Sequence, residues 1–167
     1  AQPHRRLAHH AAHEVAALVA QDDRRPVWNG DRQVTAVAGH QQLVKAIRAT
    51  GATNVILALD ASSSMLARDE APNRLAKMKQ VVDRLRELSP NDRFALIAFA
   101  GKSYVLSPVT IDQAGLNLFI DNLDPTVVGQ SGSSLASALH QANNLLAISK
   151  SGSERAIVLM SDGEGFE

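Results

Sequence analysis

The residues best suited to chemistry in this chain are two carboxylates and a group of hydroxyls. Asp60 ends the apolar run Asn54-Val-Ile-Leu-Ala-Leu-Asp60 and opens Asp60-Ala61-Ser62-Ser63-Ser64. That order puts two hydroxyls, Ser62 and Ser64, at alternate positions of one tight loop. Asp162 follows a second apolar run, Arg155 to Met160, in the polar loop Ser161-Asp162-Gly163-Glu164. Another hydroxyl, Ser133, stands at the head of a helical stretch in Gly132-Ser133-Ser134-Leu135. The chain has no Cys, and no His lies near these residues in sequence, so Asp60, Ser62, Ser64, Ser133 and Asp162 form an all-oxygen set. Such a set suits a hard divalent cation; Mg²⁺ takes near-octahedral oxygen at about 2.0–2.1 Å and keeps several waters. Neutral hydroxyls on the cation, with the carboxylates one water away, leave it electron-poor and open to an acidic ligand from outside. Taken singly, each motif has an ordinary reading, because Ser-rich loops cap helices and make Ser/Thr turns. It is the order and context of all three that point to a site.

The elements that must position these residues are legible in the apolar spacing. Asn54–Asp60 reads as a strand buried on both faces. A Ser-rich loop, Ala61 to Asn73, leads into an amphipathic helix over 74–88, with Leu75, Met78, Val82, Leu85 and Leu88 three or four apart. Ser89-Pro90-Asn91-Asp92 breaks it. Arg93 to Phe99 is a second strand, and Tyr104 to Leu106 a short third one after the Gly101 turn. Asp112 can cap a helix carrying Leu116, Phe119, Ile120 and Leu123. Ser131 or Ser133 can cap another with Leu135, Leu139, Ala142 and Leu146, before the strand Arg155 to Met160. Strands alternating with helices predict an α/β fold, a mostly parallel sheet flanked by helices. In such sheets ligands bind beyond the carboxyl ends of the strands, where strand order reverses. That is where Asp60 and Asp162 belong.

Residues 1–50 differ in character from 51–167 and read as a helical or irregular N-terminal segment. Leu7, Ala11, Val15 and Leu18 predict an Ala-rich helix over 6–20, ended by Asp22, Asp23 and Pro26. Asn29-Gly30 marks a turn, Gln33 to Ala38 a short strand and Gln41 to Ala49 a short helix. Residues 33–60 could form a strand-helix-strand unit of their own.

Composition narrows the function classes. The 167 residues are 45% hydrophobic, which is one domain's worth of chain with a sizeable core. Seventeen basic residues balance seventeen acidic ones, without the basic excess of a general nucleic-acid binder. The lack of Cys excludes disulfides, thiolate zinc sites and a Cys nucleophile. No stretch approaches the roughly 18 apolar residues of a membrane span, and His9, His10, His13 and Glu14 interrupt any signal-peptide core. The chain as written reads as soluble. It starts without Met and stops at Gly165-Phe166-Glu167, so a piece of a longer protein is expected.

Other features carry less. His9 and His13 share a helix face but have no third ligand in sight. Gly101-Lys102-Ser103 imitates the end of a P-loop, yet Leu96 stands where that motif needs Gly. Gly-x-Ser-x-Gly, the hydrolase elbow, is absent. Arg68, Asp69 and Glu70 read as a solvated loop beside the site, and Arg68 as the single basic residue near either Asp loop.

Residues 54–167 resemble a von Willebrand factor type A (VWA) domain with a metal-ion-dependent adhesion site. That family's pattern is Asp-x-Ser-x-Ser after the first strand, a Thr before a middle helix, and an Asp after the fourth strand. The matching residues are Asp60, Ser62 and Ser64, then Ser133 in place of Thr, then Asp162. Within the family, Asp60-Ala-Ser-Ser-Ser-Met-Leu-Ala, Asn73-Arg74, Asn91-Asp92-Arg93, Phe99-Ala-Gly101 and Ser107-Pro-Val-Thr110-Ile-Asp112 are similar to the bacterial Bat (aerotolerance) group. So is Arg25-Pro26-Val-Trp28, which resembles an Arg-Pro-x-Trp that follows the membrane anchor there. The resemblance implies a Rossmann-like fold, Mg²⁺ or Mn²⁺ at the site, protein binding rather than catalysis, and a parent protein held at the bacterial inner membrane by flanking helices. Two departures stand out. Residues 1–22, in the anchor position, are too polar to span a bilayer, and the family's sheet continues past its fourth strand where this chain ends. The strand Arg155–Met160 is therefore expected to be an open edge unless the N-terminal segment covers it.

The resulting expectation is a metal-dependent protein-binding module and not an enzyme. Ser62, Ser64 and Ser133 would contact the cation, Asp60 and Asp162 would hold it through water, and an acidic side chain of a protein partner would complete its coordination. The rival is an Mg²⁺-dependent phosphoryl-transfer hydrolase using Asp60 as nucleophile or ligand.

Overall fold

The sheet is built outward from its most apolar strand. Val55 to Leu59 have no polar side chain to turn to water, and all of Asn54–Asp60, strand β3, is buried in the computed structural model of the chain. The structure describes residues 15–20, 34–36, 54–69, 71–128, 134–149 and 155–162. Alternation along β3 divides the core in two, since successive side chains of a strand point to opposite faces. Val55, Leu57 and Leu59 pack with Leu75, Met78, Val82 and Leu85 of helix α1 (Arg74–Leu88) and with Leu116 and Ile120 of helix α2 (Gln113–Asp121). Ile56 and Ala58 pack with Ala138, Ala142 and Leu146 of helix α4 (Leu135–Ile148) on the other face. A short helix α3 (Pro125–Val128) that the spacing does not predict lies between α2 and α4.

The remaining strands among the described residues are β1 (Val15–Ala20), β2 (Val34–Ala36), β4 (Arg93–Phe99), β5 (Ser103–Thr110) and β6 (Arg155–Met160). They form one sheet with β3 in the order β2-β1-β6-β3-β4-β5. All neighbours run parallel except β4 and β5, which are antiparallel across the Gly101 turn. The α/β class with a mostly parallel sheet is thus found as expected. So are β3, β4, β6 and α1 at the bounds read from the sequence, and α2 beginning after its Asp112 cap, whose carboxylate accepts from the Gly115 amide at 3.0 Å. The third strand is longer than Tyr104 to Leu106 because the antiparallel ladder with β4 extends to Thr110.

The N-terminal expectation needs correction. Val15–Ala20 is a strand, not the end of an Ala-rich helix. A short apolar segment satisfies either period, and here a strand partner on each side decides between them. β1 pairs with β6 from Val15↔Arg155 to Ala20↔Met160, and with β2 from Ala17↔Val34 to Val19↔Ala36. The edge of β6 is therefore covered by the N-terminal segment. The short strand expected over 33–38 is present as Val34–Ala36, but β1 and β6 separate it from β3. Residues 6–14, the helix expected over 41–49 and the histidines at 9 and 13 lie outside the described residues.

Candidate functional site

The carboxyl ends of β3 and β6 lie side by side. Leu59 is in register with Met160, so the chain leaves one strand as Asp60 where it leaves the other as Ser161-Asp162. From β3 the connection passes over one face to β4, while β6 lies on the opposite side of β3 and is reached through α4 on the other face. This is the reversal of strand order at which open α/β sheets form a ligand crevice.

Asp60 is fully buried and its carboxylate ties the two strand ends together. Oδ1 accepts from the backbone N–H of Ser62 at 2.8 Å, and Oδ2 accepts from the Ser161 hydroxyl at 2.7 Å. A buried charge is tolerated only when hydrogen-bonded in this way. The first of these bonds folds the loop back on itself. The Ala61 amide then donates to the Phe99 carbonyl at 2.7 Å, and Ser63–Leu66 close a 3₁₀ turn held by Met65 N–H on Ser62 O at 3.1 Å. The turn brings the Ser62 and Ser64 hydroxyls to 2.9 Å from one another. Hence Asp60, Ser62, Ser64 and Asp162, four of the five residues read from the sequence, gather at one end of the sheet. The fifth, Ser133, lies outside the described residues. Its neighbour Ser134 is the N-cap of α4, a position expected to fall on Ser131 or Ser133, and its amide donates to the Ala100 carbonyl at 2.6 Å. That bond fixes the head of α4 to the carboxyl end of β4, at the same end of the sheet.

Two residues that the sequence reading missed complete the arrangement. Ser161 is one, through its bond to Asp60. Arg74 is the other, so Arg68 is not the only basic residue beside the Asp loops. Arg74 Nη1 donates to Asp162 Oδ2 at 2.9 Å, while Nε and Nη2 grip Asp69 at 2.7 to 3.1 Å. Asp162's side chain is 5% exposed and Asp69's 53%, so the guanidinium joins a buried carboxylate to a solvated one. Asn73 places it there: its side chain accepts from the Ala76 amide at 2.8 Å and starts α1 at Arg74. A cation in the first turn of a helix opposes the helix dipole, but that does not name the carboxylate 88 residues away that offsets it.

The donor set is all oxygen, with two neutral hydroxyls converging and carboxylates set behind them. It therefore fits a hard divalent cation by chemistry and does not fit a soft one.

A groove of about 480 Å³ lies between α1 and α2, lined by Asp83, Arg86, Glu87, Gln113, Asn117 and Asp121. Its polar centre serves the fold. Buried Arg86 donates to Gln113 Oε1 at 2.7 and 3.0 Å, Gln113 O at 2.9 Å and Asn117 Oδ1 at 2.7 Å, locking α1 to α2. Burial lowers the pKa of Arg86 from its ordinary value. It also raises that of Asp83, against a partly compensating pull from Arg86.

Residues 55–164 match the von Willebrand factor type A domain family, and the chain belongs to it. The chain is 34% identical over 114 residues to the UPF0353 protein of Mycolicibacterium vanbaalenii, a match covering 66% of this chain and 34% of that protein. It spans about a third of the length of the curated relatives it matches. Among solved structures, BatB from Bacteroides thetaiotaomicron superposes with a TM-score of 0.66 at 35% identity, over 69% of this chain and 56% of that one. An aerotolerance-related membrane protein from Bacteroides fragilis gives 0.64 at 34% identity, with the same coverage. The domain is thus Bat-like, with bacterial membrane-protein relatives, and its fold is one commonly used in adhesion and protein-binding modules. No helix among the described residues is long and apolar enough to cross a membrane.

Proposed function

We propose that this domain is a divalent-cation-dependent protein-binding module in a protein of the bacterial inner membrane. The observation that carries the reading is the meeting of the Asp60-x-Ser62-x-Ser64 loop with Asp162 where the strand order reverses. Ser62 and Ser64, joined by Ser133, are the residues that would hold Mg²⁺ or Mn²⁺ directly, with Asp60 and Asp162 acting through water. Bound there, the cation supplies a Lewis-acidic position for a carboxylate of a protein partner. What the chain itself does is hold its hydroxyls together through the turn and keep the Asp60 carboxylate anchored by the Ser62 amide and the Ser161 hydroxyl, set back from the surface that a partner would touch.

The same burial weighs against the phosphoryl-transfer reading. A nucleophilic carboxylate must reach the phosphorus atom, and Asp60 is fully buried with each oxygen engaged by a protein donor. Mn²⁺ titration followed by electron paramagnetic resonance tests the proposal. One saturable site is expected in the chain, lost in Asp60→Ala and on adding EDTA, and weakened in Ser62→Ala, which leaves the Ser62 amide in place. Equal Mn²⁺ binding by the chain and Asp60→Ala would refute it. Mg²⁺-dependent turnover of a phosphate ester that disappears in Asp60→Asn would favour the enzyme instead.

A further inference from the structure

We infer that Arg74 is a resident counter-cation of this site, competing with the divalent ion for Asp162 and holding its affinity down. The inference rests on the metal-site reading above and concerns how that site is regulated. Its ground is the guanidinium's division between two carboxylates. Nη1 donates to Asp162 Oδ2 at 2.9 Å, while Nε and Nη2 fork onto Asp69 at 2.7 to 3.1 Å. Arg74 can therefore release Asp162 and stay tethered to Asp69. Both halves of this geometry are fixed from outside. Asn73 caps α1, and the Arg74 amide donates to the Ala67 carbonyl at 3.1 Å, which ties the residue to the loop that follows Ser64.

The electrostatics give the sign. Asp162 is nearly buried, so its pairing with Arg74 is poorly screened, and its charge is the attraction that a divalent ion would use. Asp69 is half exposed and draws the guanidinium toward solvent. A residue that merely held Asp162 in place would strengthen cation binding; one that neutralises Asp162 weakens it. Arg74 is a positioning residue of the second kind, and loading the site requires Nη1 to give way.

The experiment measures Mn²⁺ affinity by electron paramagnetic resonance at two ionic strengths, with urea unfolding as a control for the fold. It compares the chain with Arg74→Gln, Arg74→Lys, Asp69→Asn and the Asp69→Asn/Arg74→Gln pair. Arg74→Gln is expected to bind Mn²⁺ on the order of ten-fold more tightly, while Arg74→Lys stays near the parent. Asp69→Asn, which frees the guanidinium to lean on Asp162, is expected to weaken binding. That loss should shrink in the double variant, because coupled residues are not additive. Weaker or unchanged binding in a folded Arg74→Gln, with the parent still saturable, overturns the inference and leaves the metal site standing. Absence of saturable binding in the parent and in every variant overturns both.

Discussion

Ser161 shows how the site depends on residues that no metal-site pattern names. Its hydroxyl donates at 2.7 Å to Asp60, which is buried and anchored on its other oxygen by the Ser62 amide. Hydrogen bonds to charged groups are worth about 1.5–3 kcal/mol, so Ser161→Ala is expected to cost that much in urea unfolding. Weaker Mn²⁺ binding should accompany the loss, since the Ser161 hydroxyl then no longer orients the Asp60 carboxylate. Loss of stability below about 0.5 kcal/mol would show that Asp60 is held well enough without it. Asp60, Ser62, Ser64 and Asp162 could be read from the sequence because their types and spacing carry chemical information. Ser161 and Arg74 could not, because each acts across the fold: 101 residues separate Ser161 from Asp60 and 88 separate Arg74 from Asp162. A contact at that separation leaves no local periodicity to read.

Helices α1 and α2 are joined by Arg86, whose side chain is 5% exposed and whose fork is filled by Gln113 and Asn117. Arg86→Ala removes those donors and leaves the half-buried Gln113 and the exposed Asn117 to turn to water, at an expected cost of about 1.5–3 kcal/mol in urea unfolding. Arg86→Lys should rescue little, because a single ammonium cannot reproduce the planar fork. Beside it, the pKa of Asp83 is raised above 3.8 first by burial, with Asp121 and Glu87 adding repulsion and Arg86 pulling the other way. A folded-state pKa above the unfolded one means stability that is complete below 3.8 and lost as pH rises through the raised value. Asp83→Asn cannot ionise, so its unfolding midpoint should gain on the parent's over that window and run parallel to it above. A gap that closes with rising pH would contradict the assignment. At this scale α1 was legible because five apolar residues repeat over one face, and β3 because it is apolar throughout. Val15–Ala20 was not, since six small apolar residues satisfy a helix or a strand until a partner is supplied.

For the molecule as a whole, the consequential pairing is β1 with β6. A sheet ending at β6 would present a row of unpaired N–H and C=O groups along an apolar strand, the kind of edge that recruits another chain. Six residue pairs, from Val15↔Arg155 to Ala20↔Met160, cover that edge, and β2 carries the sheet one strand further. The covered strand is also the one that delivers Ser161 and Asp162, so the integrity of the edge and of the site are coupled. A chain beginning at residue 51 is therefore expected to elute from size exclusion as dimers or larger species, and to bind Mn²⁺ less tightly even when it remains soluble. Light scattering at several concentrations separates the two possibilities. Association that grows with concentration marks an exposed strand seeking a partner. A monomer with undiminished Mn²⁺ affinity would mean that β3 alone holds β6 firmly enough, and that the N-terminal strands contribute nothing to the site.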